Sequence, residues 1–189
     1  EISFLTGIFL LPSAFSLSIL FFLSSLICSL LKSRENYFGD KYNLSFFVGG
    51  LFLIISAIFH SLGINFNQQY SWNSDLSWIG LGNWLPFFLC FYGFEIYLNS
   101  PQQRKAAGLT FLYGTFPVII SGLGQSFFDW DGPLKTLGGL IIWYQRPIED
   151  ITELTGLFNN PNYAGLWLNL VWPFCLACII INKKRNIGL

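Results

Sequence analysis

The chain has 189 residues, of which 53% are hydrophobic, 19% aromatic and only 11% charged, and its formal net charge is zero. Soluble domains contain about 25% charged residues, so this composition excludes an ordinary soluble domain and indicates a membrane protein. The sequence has no Walker loop, no G-x-G-x-x-G after a strand, no H-E-x-x-H motif and no basic face for nucleic acid. We therefore expect no metal, no cofactor and no nucleic-acid partner.

Apolar runs long enough to cross a membrane recur along the chain. A helix rises about 1.5 Å per residue and the hydrocarbon core is about 30 Å thick, so runs of about 18 residues or more are candidate spans. Five runs stand out, at residues 4–31, 44–64, 78–98, 107–127 and 162–181. We expect an all-α polytopic integral membrane protein, with residues 1–189 forming a single transmembrane helical region.

The first run, residues 4–31, is longer than one crossing needs and carries Pro12 near its start. Because proline interrupts helical hydrogen bonding, this run could tilt, kink or begin with an interfacial turn. A signal peptide is not indicated, since no basic residue precedes the run and no small-residue cleavage site follows cleanly. The chain begins with Glu1 and contains no methionine, so we expect a fragment of a larger polytopic protein.

Basic residues fall in alternate connections between the predicted spans. The positive-inside rule assigns such segments to the cytoplasm, and the acidic or neutral loops to the outside. Eight basic residues lie in the cytoplasmic segments: Lys32, Arg34, Lys41, Arg104, Lys105, Lys183, Lys184 and Arg185. The predicted topology has the N-terminus outside, the C-terminus in the cytoplasm and a long periplasmic loop at residues 128–161.

Isolated reactive side chains inside the spans favour structural roles. All four cysteines fall within predicted spans, which argues against a disulfide framework or a zinc site: Cys28, Cys90, Cys175 and Cys178. His60 and Glu95 lie near the ends of the second and third spans. For both, a hydrogen-bonded or boundary role is favoured over a proton relay.

The loop at residues 128–161 is predicted to hold structure of its own, because connections have a median length of about four to six residues. Its apolar cluster at residues 140–144 fits a segment lying in the outer membrane interface, followed by the basic Arg146. Trp143 and Tyr144 belong to an aromatic belt that anchors helix ends, or to a surface that stacks on sugars. The sequence leaves both alternatives open.

The stretch GLFNNPNYAG, residues 156–165, starts the last predicted span. Four of its residues suit a helix start: Asn159, Asn160, Pro161 and Asn162. Asparagine is a good N-cap, and proline suits the first helical position because its missing N–H would be unpaired there anyway. The predicted span runs inward, so its positive end faces the outer surface near Arg146 and offers a seat for an anion. Any transmembrane helix also needs a cap, and the residues alone leave the two interpretations open.

Residues 154–168, LTGLFNNPNYAGLWL, resemble the signature of the O-antigen ligase and Wzy-type O-antigen polymerase family. That signature is a glycine, an apolar or aromatic pair, then (Gly/Asn)-Asn-Pro-Asn and a small residue leading into a transmembrane helix. Many family members have an arginine three residues before the motif glycine, where this chain has Glu153. Arg146 is the nearby basic candidate for that role, and it equally suits a contact with lipid headgroups.

The resemblance implies a protein of bacterial cell-envelope polysaccharide assembly in the inner membrane. Such a protein transfers or polymerises glycan from an undecaprenyl-pyrophosphate carrier on the periplasmic face, so its partners would be that lipid-linked glycan and membrane lipid. Arg146 is the candidate catalytic residue. The candidate substrate-binding residues are Asn159, Asn160, Pro161, Asn162, Trp143 and Tyr144. We expect activity from the full-length protein and not from the fragment alone.

Two other function classes remain. One is a membrane transporter of a small solute such as bicarbonate, which paired polar groups along a midplane path would favour. The other is a non-catalytic membrane scaffold, which the low density of buried charge suits equally well.

Overall fold

The computed structural model describes residues 1–32, 37–62, 74–147 and 153–187, and this part of the chain is an all-α polytopic membrane protein with one short hairpin. Its helices are α1 (Ile2–Leu10), α2 (Phe15–Lys32), α3 (Lys41–Ser61), α4 (Ser74–Glu95), α5 (Pro101–Gly114), α6 (Phe116–Phe128) and α7 (Pro161–Ile187). Short 3-10 turns lie at Tyr37–Gly39 and Leu137–Gly139. The hairpin pairs β1 (Leu134–Thr136) antiparallel with β2 (Ile141–Trp143), so that Leu134 lies opposite Trp143.

Within the described residues, four helical segments are long and apolar enough to cross a membrane: α2, α3, α5 together with α6, and α7 as far as Ile180. Large apolar side chains on these segments are exposed, as lipid contact requires; examples are Phe52 and Leu166. The predicted run 78–98 largely coincides with the 22-residue α4, which is not among the four. Its glycines together with Asn83 and Pro86 lower its apolar content. The chain is therefore a multi-pass membrane protein.

The predicted run 4–31 is two helices and not one. Pro12 cannot donate a backbone hydrogen bond, and the chain turns between Leu10 and Phe15. Of the alternatives that the sequence allowed, a turn is the one observed. The side-chain hydroxyl of Ser18 donates to the carbonyl of Gly7 (2.7 Å), which ties α2 to α1. At nine residues and about 1.5 Å per residue, α1 is too short to cross a membrane alone.

The predicted run 107–127 begins earlier and is also broken. Ser100 and Gln103 form a capping box, with Gln103 N–H donating to Ser100 Oγ (3.1 Å) and Ser100 N–H donating to Gln103 Oε1 (3.0 Å). The helix consequently starts at Pro101, where hydropathy alone gave no signal. The break falls at Thr115, between α5 and α6, because Pro117 at the start of α6 cannot continue the hydrogen-bonding of α5.

The described chain divides into two compact units, the first made of Glu1–Ser25 and Tyr97–Leu189 and the second of Leu26–Ile96. In the second unit, α3 packs against α4 through aromatic rings. Phe46 stacks on Phe88 and on Phe91, with ring centroids 5.3 and 4.7 Å apart. The absence of a side chain at Gly50 lets Leu85 approach α3 closely.

In the first unit, a buried apolar cluster joins α6, α7 and the segment that precedes α7. Its buried members are Val118, Leu157, Trp167 and Val171. Trp167 stacks on Phe111 at 4.8 Å, and its indole N–H donates to Thr115 Oγ1 (3.1 Å) at the break between α5 and α6. This cluster fixes the start of α7 against α6, which positions the polar residues described below.

The packing of α1 on α5 depends on a glycine. A methyl group added at Gly114 would lie 2.7 Å from the carbonyl oxygen of Phe9, which is backbone and cannot rotate away. Gly122, in α6, has nothing within 4 Å of the same position. Gly114 therefore allows the close approach of α1 to α5, whereas Gly122 allows no comparable helix contact.

We predict that Gly114→Ala destabilises the protein by about 1–3 kcal/mol, because the added methyl must push α1 away from α5. The matched control, Gly122→Ala, should be neutral or stabilising by up to about 1 kcal/mol, since alanine is the better helix former. Thermal unfolding in detergent, followed by loss of the monodisperse gel-filtration peak, measures both. Equal shifts of the two variants would contradict the close approach.

Candidate functional site

The start of α7 has the geometry that the asparagines predict. Asn160 Oδ1 accepts a hydrogen bond from the N–H of Asn162 (2.8 Å), and the Asn160 carbonyl accepts from Tyr163 N–H (3.1 Å). Pro161 is the first helical residue. The predicted cap is confirmed, with Asn160 as the N-cap, and the Asn159 and Asn162 side chains are exposed. Two amide side chains are therefore exposed at the positive end of α7.

A buried glutamine on α6 joins this region together. Gln125 has no exposed surface, and its amide nitrogen donates to the Arg146 carbonyl (2.9 Å) and to Thr155 Oγ1 (2.9 Å). Its amide oxygen accepts from the N–H of Gly156 (2.7 Å). Because a primary amide has two donor hydrogens and one acceptor oxygen, these three bonds use both hydrogens and one lone pair. One side chain thus connects α6, the exit from the hairpin and the segment before α7.

Arg146, the candidate catalytic residue, is held by its backbone. Its carbonyl accepts from Gln125, and its N–H donates to Thr155 Oγ1 (3.1 Å). Its side chain is exposed. A further backbone bond runs from Tyr144 N–H to the Leu157 carbonyl (3.1 Å). It joins the residue that follows β2 to the segment before α7. The structure therefore brings the Arg146 backbone to Thr155, five residues before the N-cap, and leaves the Arg146 side chain exposed.

Gln145 occupies a second buried polar position next to Arg146. Its side chain is fully buried and its amide nitrogen donates to the hydroxyl of Ser121, one turn before Gln125 on α6. Its backbone carbonyl accepts from Gly132 N–H (2.7 Å), which closes the base of the hairpin. Gln145 has a φ of 26°, an uncommon value for a residue with a side chain. The chain is thus turned sharply at the residue that precedes Arg146.

The motif glycine, Gly156, also has a conformational role. Its φ is 58°, in the left-handed region where a side chain is disfavoured, and Val118 packs against it. In this conformation its N–H points to Gln125 and the next residue, Leu157, enters the buried cluster. The glycine of the motif therefore allows the left-handed turn that leads the chain to the start of α7.

The two aromatic candidates have different surroundings. The indole N–H of Trp143 donates to the carbonyl of Ser13 (2.8 Å), and the ring packs against the buried cluster. Tyr144 is exposed. Trp143 is consequently fixed in the fold, and Tyr144 is the aromatic of the pair that presents its ring at the surface.

Sequence reasoning missed Gln125, Ser121 and Thr155, although α6 carried a signal. A buried polar side chain in an apolar helix is costly unless it is hydrogen-bonded, so Ser121 and Gln125, four residues apart on one face, indicate a polar partner across from α6. The identity of that partner has no sequence signal, because Gln125 and Thr155 are 30 residues apart. Only the fold shows that the partner is the segment preceding α7.

Comparison with protein-family models, curated proteins and solved structures finds no match for this chain. The family resemblance therefore rests on the motif at residues 154–168. Around that motif, Arg146, Asn159 and Asn162 are exposed, and the Arg146 backbone is hydrogen-bonded to Thr155 in the segment before the N-terminus of α7. Cationic and amide donors of this kind bind phosphate groups and sugar hydroxyls.

We predict that Gln125→Leu loosens the junction. The apolar side chain fills a similar volume but leaves the Arg146 carbonyl and the Gly156 N–H without their partner, and each unpaired group costs about 1–3 kcal/mol. The Thr155 hydroxyl loses one bond and keeps the one from the Arg146 N–H. Limited proteolysis should cut residues 129–160 faster than in the wild type. The control is Ser126→Ala, at an exposed neighbouring position on α6, which should be cut by the protease at the wild-type rate. Similar cleavage rates for the two variants would contradict the role of Gln125.

The N-cap makes a separate prediction. Asn160→Ala should lower stability by about 1 kcal/mol, because the N–H of Asn162 loses its acceptor. Asn159→Ala is the matched control, since its side chain is exposed beside the same helix start, and it should change stability by less than about 0.5 kcal/mol. Thermal unfolding of the two variants in the same detergent decides between them; the reverse order would place the cap at Asn159.

Proposed function

We propose that this chain is part of a membrane glycosyltransferase-like enzyme of the O-antigen ligase or polymerase type. The enzyme would transfer or polymerise glycan from an undecaprenyl-pyrophosphate carrier on the periplasmic face of a bacterial inner membrane. The observation that carries the proposal is the junction in which Gln125 and Thr155 hold the Arg146 backbone beside the segment that starts α7. This junction holds the Arg146 backbone at Thr155, five residues before the N-cap of α7, which supports a role for Arg146 near that helix start.

The chemistry of this transfer needs stabilisation of a leaving group. An acceptor hydroxyl oxygen forms a bond to the anomeric carbon of the carried glycan, the bond from that carbon to the phosphate oxygen breaks, and the hydroxyl proton passes to water. Negative charge builds on the departing undecaprenyl pyrophosphate. A guanidinium donates two parallel hydrogen bonds to a phosphate, and the positive end of a helix adds a fixed dipole, so both favour that charge.

The exposed side chains divide into roles under this proposal. Arg146 binds the pyrophosphate. Asn159 and Asn162 present amides that donate to and accept from sugar hydroxyls, and Tyr144 offers a ring for stacking on a sugar face. Asn160 and Pro161 act through the helix start, because the Asn160 amide already caps α7. Trp143 supports the site through its bond to Ser13.

Two of the buried hydroxyls on α2 favour this proposal over solute transport. Ser18 and Ser25 are buried polar residues, but Ser18 donates to the Gly7 carbonyl and Ser25 donates to the carbonyls of Phe21 and Phe22. Hydroxyls that are satisfied by nearby backbone stabilise helix packing and do not offer a binding position to a passing solute.

We predict that Arg146→Ala in the full-length protein lowers glycan transfer by about 100-fold or more, the usual effect of removing one donor to a developing charge. Arg146→Lys should retain part of the activity, because the charge remains and the paired hydrogen bonds are lost. Lys135→Ala, on the same loop, is the control and should transfer like the wild type. The assay is the lipopolysaccharide ladder in the native host deleted for the parent gene and complemented with each variant, with membrane levels checked by immunoblot.

The ladder separates the possible outcomes. Restored long chains indicate polymerase activity, and restored attachment to the lipid A core indicates ligase activity. Full transfer by a well-inserted Arg146→Ala variant would reduce Arg146 to a lipid-headgroup contact. An unchanged ladder on deletion of the parent gene would overturn the proposed function.

A further inference from the structure

The tip of the hairpin carries large apolar side chains at the surface. The tip is defined as Leu137–Leu140, between β1 and β2, and Leu137 has 66% of its surface exposed while Leu140 has 48%. Leu134, at the start of β1, is exposed to the same extent as Leu140. Three exposed leucines within seven residues form an apolar surface that favours contact with another apolar phase over contact with water.

The base of the hairpin is held by hydrogen bonds, so the tip leucines stay exposed and do not fold back onto the protein. Gly132 N–H donates to the Gln145 carbonyl (2.7 Å), and the Trp143 indole donates to the Ser13 carbonyl (2.8 Å). The first bond closes the hairpin at its base, and the second holds β2 to the turn between α1 and α2. The tip leucines therefore cannot reach the buried cluster without breaking the base.

The hairpin lies in the connection between two consecutive candidate spans. The span formed by α5 and α6 ends at Phe128 and the next begins at Pro161, so this connection would start and end on the same side of a membrane. Phe127 and Phe128 at the end of α6 are 72% and 71% exposed, and the Phe128 ring lies 6.4 Å from that of Trp130. Exposed aromatic rings at the end of a span are typical of the membrane interface. Exposed aromatic side chains thus extend from the end of this span into the segment that enters the hairpin.

The charge of the hairpin also fits a lipid surface. Lys135 is the single charged residue between Gly132 and Gln145, and it is exposed. Its strand position places it on the opposite face from Leu134, because successive side chains of a strand point to opposite sides. The charge is thus kept away from the face that carries Leu134, so its ammonium can stay in water while the leucines contact lipid.

We propose that the hairpin tip, Leu137–Leu140, inserts into the interfacial layer of the bilayer, with phospholipid as its partner. The contact gives the loop a third attachment to the membrane besides its two flanking spans. It does not depend on the proposed glycan transfer, and it is measured without any enzymatic activity.

The test uses the chain reconstituted in vesicles of phosphatidylethanolamine and phosphatidylglycerol. In a background with the four native cysteines replaced by alanine, Leu137→Cys and Lys135→Cys are each labelled with the environment-sensitive fluorophore NBD. We expect the label at 137 to show blue-shifted emission, quenching by lipids with a nitroxide near the headgroup and protection from aqueous iodide. The label at 135, two residues away, should be quenched more by iodide and less by the nitroxide lipid.

Two results would overturn the proposal. Equal iodide quenching at both positions would mean that the tip lies in water. Protection from iodide without quenching by the nitroxide lipid, together with disulfide cross-linking between chains of the Leu137→Cys variant, would identify a second copy as the partner of the tip. As a measurement that leaves the native cysteines in place, a benzophenone amino acid at position 137 should form lipid adducts on illumination, and at 135 fewer; protein adducts alone would count against insertion.

Discussion

The amide of Gln125 is the interaction on which the polar end of the first unit depends. A membrane helix that carries a fully buried amide must satisfy it within the protein, because the surrounding hydrocarbon offers no donors or acceptors. Here the partners come from three places along the chain: the Arg146 carbonyl, the Thr155 hydroxyl and the Gly156 N–H. The need to satisfy one side chain therefore fixes the end of the loop between α6 and α7 against α6, since moving a partner weakens the pairing of a buried amide.

The Asn-Pro-Asn motif contains residues that the fold requires and residues that it leaves exposed. Gly156 supplies the left-handed turn, Leu157 enters the buried cluster, and Asn160 with Pro161 starts α7. Each of these residues is required by folding whether or not the protein binds a glycan. What folding does not explain is a pair of asparagine side chains left exposed at that helix start. A functional interpretation of the motif rests on those amides and on Arg146, and not on the motif residues that the fold already uses.

Sequence predicted the features whose causes are local. Hydropathy located the apolar helices, and the chemistry of asparagine and proline located the start of α7 at Pro161. Helix boundaries were less well predicted where another force competed with hydropathy. The capping box at Ser100 and Gln103 extends α5 toward the N-terminus, and Pro12 and Pro117 break runs that hydropathy treats as continuous. The pairing of Gln125 with Thr155 was not predictable, because it depends on how α6 and the loop meet in space.

The loop between α6 and α7 has a hydrogen-bonded base and two exposed parts, the hairpin tip and Arg146. This arrangement bears on how Arg146 would meet a lipid-linked substrate. Hydrogen bonds at Gly132 and at Gln125 close the base on both sides of the hairpin, so the tip and Arg146 belong to one hydrogen-bonded segment. Insertion of the tip into the interface would then set the height of Arg146 above the hydrocarbon. A polyprenyl pyrophosphate has its own height set by its chain in the same bilayer. If the guanidinium and the pyrophosphate are held in the same layer, less translational entropy is lost when they bind. A guanidinium whose backbone is already held also loses less conformational entropy. The buried amide of Gln125 thereby connects the stability of the fold to the geometry that the proposed transfer requires.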